Sequence, residues 1–250
     1  MKLFNRLLFS VSLGVAVPTV AMAQCPFSDY QAIYNLTAGS ASGTVEQALK
    51  LNSQNQYQIA SVTVVKFMFF SDQFTQNAQG KFKASYFHPS AYDVVDTKKN
   101  QPWVVFFKPM QGTLVYLNKK QNFPLPTLAQ DNLSYQLQLR LDLLNGQTTF
   151  SYPVVYGDAN KQAVVGNYVF TVVGNNVPVN TDLGQLQTIE LQRQDPQTKI
   201  TTLFWFAPKL NDLMVRNEVL DANGEVTSNA VIHQYTPGNS AYCIPLNIRS

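Results

Sequence analysis

Asp131-Asn132-Leu133-Ser134-Tyr135-Gln136-Leu137-Gln138-Leu139-Arg140-Leu141-Asp142-Leu143-Leu144-Asn145-Gly146 is the stretch on which the reading of the fold turns. Every odd position from Leu133 to Leu143 is apolar, and such alternation by itself describes a strand with one buried face. The same residues also describe a helix. Asp131 stands where an N-cap belongs, the segment is built of good helix formers, and Asn145-Gly146 is a stop signal. On a helix, Leu133, Leu137, Leu141 and Leu144 form one stripe. Tyr135, Leu139 and Leu143 then fall on the opposite side, so the helix would be buried on two faces. Residue pattern alone leaves strand and helix both open. Asp131 reads as a cap, with buried pairing to Arg140 as the alternative.

Outward from this segment the signals are those of strands. Gln56 to Phe70 is rich in Tyr, Ile, Val and Phe, and Lys81 to Tyr86 alternates in polarity. Trp103-Val104-Val105-Phe106-Phe107 is a continuous apolar run, as expected of a strand buried on both sides. Thr113 to Leu117 follows Gly112 as a hairpin partner. Asn167 to Val173 runs into the turn cluster Gly174-Asn175-Asn176. Further on, Gln185–Gln194, Lys199–Phe206, Leu213–Leu220 and Glu225–Tyr235 form a meander. Asp195-Pro196, Ala207-Pro208 and Asp221-Ala222-Asn223-Gly224 punctuate it, and Asn-Gly is a strong hairpin signal. The expected fold is all-β, a mainly antiparallel sheet rolled into a barrel or half-barrel, with one short element at 132–144 whose helical or extended state is the open question.

In order along the chain stand Asp131, Leu133-Ser134, Arg140, Gly146, Gly184 ahead of Leu186 to Leu191, Trp205, Arg216 and Gly224. This succession resembles the bacterial exported proteins grouped as domain of unknown function 3108, over roughly Tyr30 to Tyr235. The chain has Met214-Val215 where family members often carry a proline. The resemblance implies a helix for 132–144, an exported location and the fold type. It implies no activity.

At the N-terminus, Lys2 and Arg6 precede an apolar run from Leu7 to Val20, and Ala21-Met22-Ala23 closes it. Basic head, apolar middle and small-x-small site make residues 1–23 a secretory signal peptide, cleaved between Ala23 and Gln24. The run is short for a membrane span and contains Pro18. Gln24 ahead of Cys25 argues against lipoprotein processing. The expectation is a soluble periplasmic or secreted protein of residues 24–250, one mostly β domain without a transmembrane segment. The two cysteines, Cys25 and Cys243, stand near the two ends of that domain. In an oxidising compartment an even pair is expected to form a disulfide.

Loss of Lys2 and Arg6 with the leader leaves 16 basic against 15 acidic side chains, scattered rather than clustered. Nucleic acid is therefore not an expected partner. With 45% apolar residues the chain can build a core. Catalytic signatures fail on inspection. Gly39-Ser40-Ala41-Ser42-Gly43 has Ala41 where a nucleophile elbow needs serine, and reads as a turn. A metal site on the two cysteines would need further ligands, and His88 and His233 are the only histidines. Asp93 and Asp96 fall on opposite faces of an extended chain. Asp72 reads as a loop residue between strands. Arg216 either pairs with a carboxylate in the sheet or faces solvent. No cofactor and no metal is expected.

Aromatic residues are the one feature pointing to a ligand: Phe67, Phe69, Phe70 and Phe74, then Trp103, Phe106 and Phe107, then Phe204, Trp205 and Phe206. They read either as core or as the lining of a pocket in the rolled sheet, with Trp103, Phe106, Trp205 and Phe206 as candidate lining. The functional expectation is a non-enzymatic binding or carrier module for an apolar small molecule, lipid or amphipathic envelope molecule. The alternative is a structural partner of an envelope protein complex. A hydrolase comes last.

Overall fold

In the computed structural model, which describes residues 27–96, 102–116, 119–157, 162–238, 242 and 244, the ambiguous stretch is a helix. This helix, α1 (Ser134–Leu144), is buried along nearly its whole length. Leu133, Leu137 and Leu141 pack into a core with Phe27, Tyr57, Phe87 and Trp205. Tyr135, Leu139 and Leu143 pack on the opposite side against Phe150, Phe170, Leu191 and Phe206. A helix with apolar residues all round must be covered all round. Here a rolled sheet covers it. The predicted leader, residues 1–23, and both cysteines, Cys25 and Cys243, lie outside the described residues.

Both ends of α1 are closed by named groups. Asp131 Oδ1 accepts the N–H groups of Leu133 and Ser134, each at 2.8 Å, and Ser134 Oγ accepts the Asp131 N–H at 2.9 Å. At the other end Gly146 takes φ +73°, open to glycine without strain. Its N–H reaches Leu143 O at 2.8 Å, and Gln147 N–H reaches Asp142 O at 2.9 Å. That is the double bond of a Schellman stop.

The sheet has fifteen strands: β1 (Tyr30–Ala38), β2 (Ala41–Leu51), β3 (Gln56–Phe67), β4 (Phe70–Lys83), β5 (Tyr86–Asp96), β6 (Trp103–Lys108), β7 (Gln111–Tyr116), β8 (Lys119–Pro124), β9 (Gln130–Asp131), β10 (Thr149–Gly157), β11 (Ala163–Thr181), β12 (Gly184–Gln194), β13 (Thr201–Ala207), β14 (Leu213–Leu220) and β15 (Val226–Pro237). Spatial order runs from β8 down to β1, then β15 down to β9. Among the described residues, neighbouring strands in this order pair antiparallel, except that β9 lies parallel to β10. The first and last strands zip together, Tyr30 opposite Pro237 and Ala38 opposite Ser228. The opening therefore falls in mid-chain, between β8 and β9. The architecture is an open roll about a central helix.

Where backbone pairing stops, side chains continue it. Gln138 Oε1 accepts the N–H of Phe87 on β5 at 2.9 Å, and Gln130 Nε2 donates to the Phe87 carbonyl at 2.8 Å. Two amide side chains thus satisfy both backbone groups of a buried strand residue, as a neighbouring strand would.

The C-terminal meander forms as expected. Four other expectations are corrected. Lys81 to Tyr86 is not one strand, because Ala84 and Ser85 form a turn with φ +51° and +62°. The β6 run is buried on one side only, with Trp103 and Val105 inside and Phe106 exposed. Gly174-Asn175-Asn176 does not turn the chain; β11 continues to Thr181 through two bulges in its pairing with β12. Asp72 lies within β4, opposite Val65, rather than in a loop.

Candidate functional site

Most residues singled out in the sequence build the fold. Asp131 and Ser134 cap α1. Arg140 donates from Nε to the Asn211 carbonyl at 2.8 Å, with its guanidinium 4.6 Å from the Phe27 ring centre and 5.3 Å from that of Tyr30. It does not pair with Asp131; the carboxylate whose charge bears on it is Asp212. Gly184 holds φ +97° in the β11–β12 turn. Arg216 lies 4.6 Å over the Trp205 ring, donates to Asn229 Oδ1 at 3.0 Å and pairs with Glu218.

The four aromatic candidates do not meet in one cavity. Trp103 is buried edge-on against Tyr92 at 5.4 Å, in the core that also holds Trp205. Phe206 faces the second core, on the other side of β13. Phe106 points outward from β6 and is 43% exposed. Aromatic and helix side chains occupy the interior around α1, where a lined pocket was the alternative.

Burial shifts the interior carboxyls. Desolvation pushes Asp131 up to about 6 against the N–H groups of Ser134 and Leu133, which favour its charge, and raises Asp142 and Asp212 as well. Each has a structural partner: Asp142 accepts from Tyr152 at 2.6 Å and from Gln138 at 2.9 Å, and Asp212 lies near Arg140. Asp131 and Asp212 serve the helix, while Asp142, with Gln138 and Tyr152, also lines a cleft of about 280 Å³. Of the histidines, His233 Nδ1 lies 2.6 Å from Asp182 Oδ2 in an exposed pair. His88 sits on the outer sheet face opposite Lys81 and, with Lys50, Tyr57 and Gln79, lines a hollow of about 650 Å³. Among the described residues no group of three or more His, Cys, Asp or Glu is placed to hold a metal.

An apolar surface remains on the β3–β4 hairpin. Residues directly opposite in an antiparallel pair share a face, and so do residues two apart. The inward face therefore runs Tyr57, Ile59, Ser61, Thr63, Val65, Phe67 on β3, opposite Gly80, Ala78, Gln76, Phe74, Asp72, Phe70 on β4. At the Tyr57–Ile59 end this face is sealed in the core. Toward the tip it outruns the core, leaving Phe67, Phe70 and Phe74 at 42%, 69% and 37% exposure. Thr63, Val65, Phe67, Phe70, Asp72 and Phe74 enclose a groove of about 270 Å³. Sequence reading marked these phenylalanines as aromatic but proposed other residues as lining, because how far the core reaches beneath a hairpin is set by tertiary packing and not by the local pattern.

The chain matches the family model described as protein of unknown function (DUF3108) over residues 29–231. It belongs to the DUF3108 family. No functionally curated protein matches it. Among solved structures, the DUF3108 fold is similar to a β-barrel-like protein of domain of unknown function DUF1849 from Brucella abortus. The two are 11% identical, with a TM-score of 0.58, over 85% of this chain and 99% of that one. The likeness extends the rolled-sheet architecture to a second family and speaks to the fold alone. Weaker overlaps are found with MucB (6% identity, TM-score 0.35, 87% of this chain and 56% of that one) and with the hypothetical protein CT021 from Chlamydia trachomatis (9% identity, TM-score 0.33, 88% and 93%).

Proposed function

We propose that this DUF3108 protein is an exported, non-enzymatic binding module that takes an apolar or amphipathic envelope molecule in the groove of the β3–β4 hairpin. The observation that carries this reading is the inward face of that hairpin, apolar like the core it continues and left uncovered around Phe67, Phe70 and Phe74. Ligand pockets are concave and mostly apolar. At about 270 Å³ this groove lies just below their usual range of about 300–1,000 Å³, a size for one short acyl-like chain rather than a bulky ring system.

The signal-like residues 1–23 support the envelope location, and purification from the periplasm without the leader is its test. Assembly through strand addition is less favoured. The edge strand β8 carries Lys119, Lys120 and Pro124, residue types that blunt an edge against pairing.

The binding test is native mass spectrometry of protein purified without detergent, followed by titration with a fluorescent fatty acid. The wild type should carry releasable apolar mass or bind the probe saturably. Val65→Thr/Phe74→Thr, which keeps strand propensity while making the groove polar, should weaken probe binding about tenfold. No bound mass and no saturable probe binding would overturn the reading.

A further inference from the structure

The tip of the β3–β4 hairpin has a composition that neither its turn nor the core asks for. Phe67 and Phe70 are the last paired residues, and Met68-Phe69 makes the turn. Met68 holds φ +50°, a conformation that favours glycine or asparagine over a side chain like methionine's. Gly39, Asn55, Gly184 and Gly224 follow that preference at other turns, whereas Ala84, Ser85, Met110, Leu128 and Lys199 depart from it as Met68 does. This tip carries Met68, 82% exposed, and Phe69, fully exposed. Neither residue lines the groove. The core covers neither residue, and with Phe67 and Phe70 they form one contiguous apolar tip that faces outside the chain.

The shape narrows the choice. A convex tip enters its partner rather than receiving one. From Ser61 to Ser71 the only charged residue is Lys66, exposed on the face opposite Phe67 and set just behind the apolar tip. Aromatic and apolar side chains in front, with an ammonium one step back, match the layering of a bilayer surface. The rings enter the boundary between headgroups and acyl chains, while the lysine head stays among anionic headgroups. A protein receptor would have to bring a dedicated concave pocket; a bilayer accepts the tip as it stands. We propose that the Met68-Phe69 tip docks shallowly and reversibly on an anionic lipid bilayer, with Lys66 as its headgroup contact.

The test uses the mature full-length chain in sedimentation with vesicles of phosphatidylethanolamine and phosphatidylglycerol, and with vesicles of phosphatidylcholine alone. Met68→Gly/Phe69→Ser installs a Gly-Ser turn that the positive φ favours, so this variant folds at least as well as the wild type, checked by its thermal melt. The wild type should sediment with the anionic vesicles, and the variant should bind at least about tenfold more weakly. Lys66→Gln should weaken binding to anionic vesicles and leave any binding to phosphatidylcholine unchanged. Phe69→Trp should give a blue-shifted emission on vesicles, quenched by lipids brominated along the acyl chain. The proposal is overturned if the wild type ignores anionic vesicles, if Met68→Gly/Phe69→Ser binds as well as the wild type, or if the indole emission of Phe69→Trp does not move. Docking goes beyond the binding function and fails separately from it. Val65→Thr/Phe74→Thr should lose the fatty-acid probe and keep the vesicles, and the tip variant should do the reverse.

Discussion

Asp131 and Ser134 close on each other's backbone: the carboxylate accepts the Ser134 N–H at 2.8 Å, and the serine hydroxyl accepts the Asp131 N–H at 2.9 Å. The pair sits at 0% exposure where β9 hands over to α1, so a reciprocal helix cap is built inside the core rather than at its rim. Removing the serine hydroxyl with Ser134→Ala leaves the Asp131 N–H buried without an acceptor. We expect a loss of about 1–3 kcal/mol in urea unfolding. An unchanged midpoint would show that the cap is dispensable.

Asp131 also makes stability depend on pH. Desolvation holds its carboxyl at about 6 against an ordinary value near 3.8, and its Oδ2 is buried without a hydrogen-bond partner among the described residues. The folded state thus favours the protonated form. This contribution is fully present below about pH 4 and is lost as pH rises through about 6. The shift corresponds to about 3 kcal/mol. Asp142 and Asp212 act in the same direction, while the solvent-facing turn residues Asp195 and Asp221, held low by backbone N–H groups, act in the opposite one. The readout is therefore the difference between wild type and Asp131→Asn in urea unfolding from pH 4 to pH 7. The wild type should lose more stability over that range than the variant. Parallel pH profiles would exclude Asp131 as the source.

The side-chain closure of the roll predicts a large effect from a near-isosteric change. Gln138→Leu keeps the volume but removes the acceptor for the buried Phe87 N–H and the donor to Asp142. Two buried groups lose partners, and a cost of about 2–5 kcal/mol follows. Amide exchange at Phe87 should accelerate more than at Val94 on the same strand, which is paired through backbone. Equal acceleration at both would mean that the closure is not local.

Arg140 joins α1 to the β13–β14 turn and lies against the rings of Phe27 and Tyr30. Arg140→Ala leaves Asp212 without its cation and should cost about 3–5 kcal/mol. Arg140→Met keeps the packing of the stem, so its cost should be smaller. If the methionine variant is as unstable as the alanine one, the guanidinium rather than the stem holds the site.

These partners also show what was legible in the sequence. The β meander from Gly184 to Pro237 could be read because its turns carry Asn-Gly, Asp-Pro and Ala-Pro signals between alternating strands. The two apolar stripes of α1 could be read too, but choosing helix over strand required its surroundings. Alternation normally means that the polar half is solvated. Here Ser134, Gln138, Arg140 and Asp142 are all buried, and each has a named partner from another turn, strand or ring. Nothing local distinguishes a polar residue wired into a core from one facing water. For the same reason the β3–β4 groove is not visible in the sequence. Trp103 and Trp205 are more conspicuous in sequence than Phe74, yet exposure is decided by how far the core reaches beneath the hairpin, a property of the assembled sheet.

Ile244 N–H donates to the Phe27 carbonyl at 3.1 Å, and Gly238 N–H donates to the Asp29 carbonyl at 2.7 Å. Phe27 and Ile244 are both fully buried, so the two ends run side by side against the core. Cys25 lies two residues before Phe27, and Cys243 immediately precedes Ile244. A disulfide between them would close nearly the whole domain into one loop, and constraining so long a loop stabilises by about 2–5 kcal/mol. In protein secreted to an oxidising compartment we expect no reaction with a thiol reagent until a reductant is added. Cys25→Ser/Cys243→Ser should melt lower than the oxidised wild type and level with the reduced one. The last equality is the discriminating part. A double variant less stable than reduced wild type would mean that the cysteines matter through packing, and free thiols in the untreated protein would remove the bond altogether.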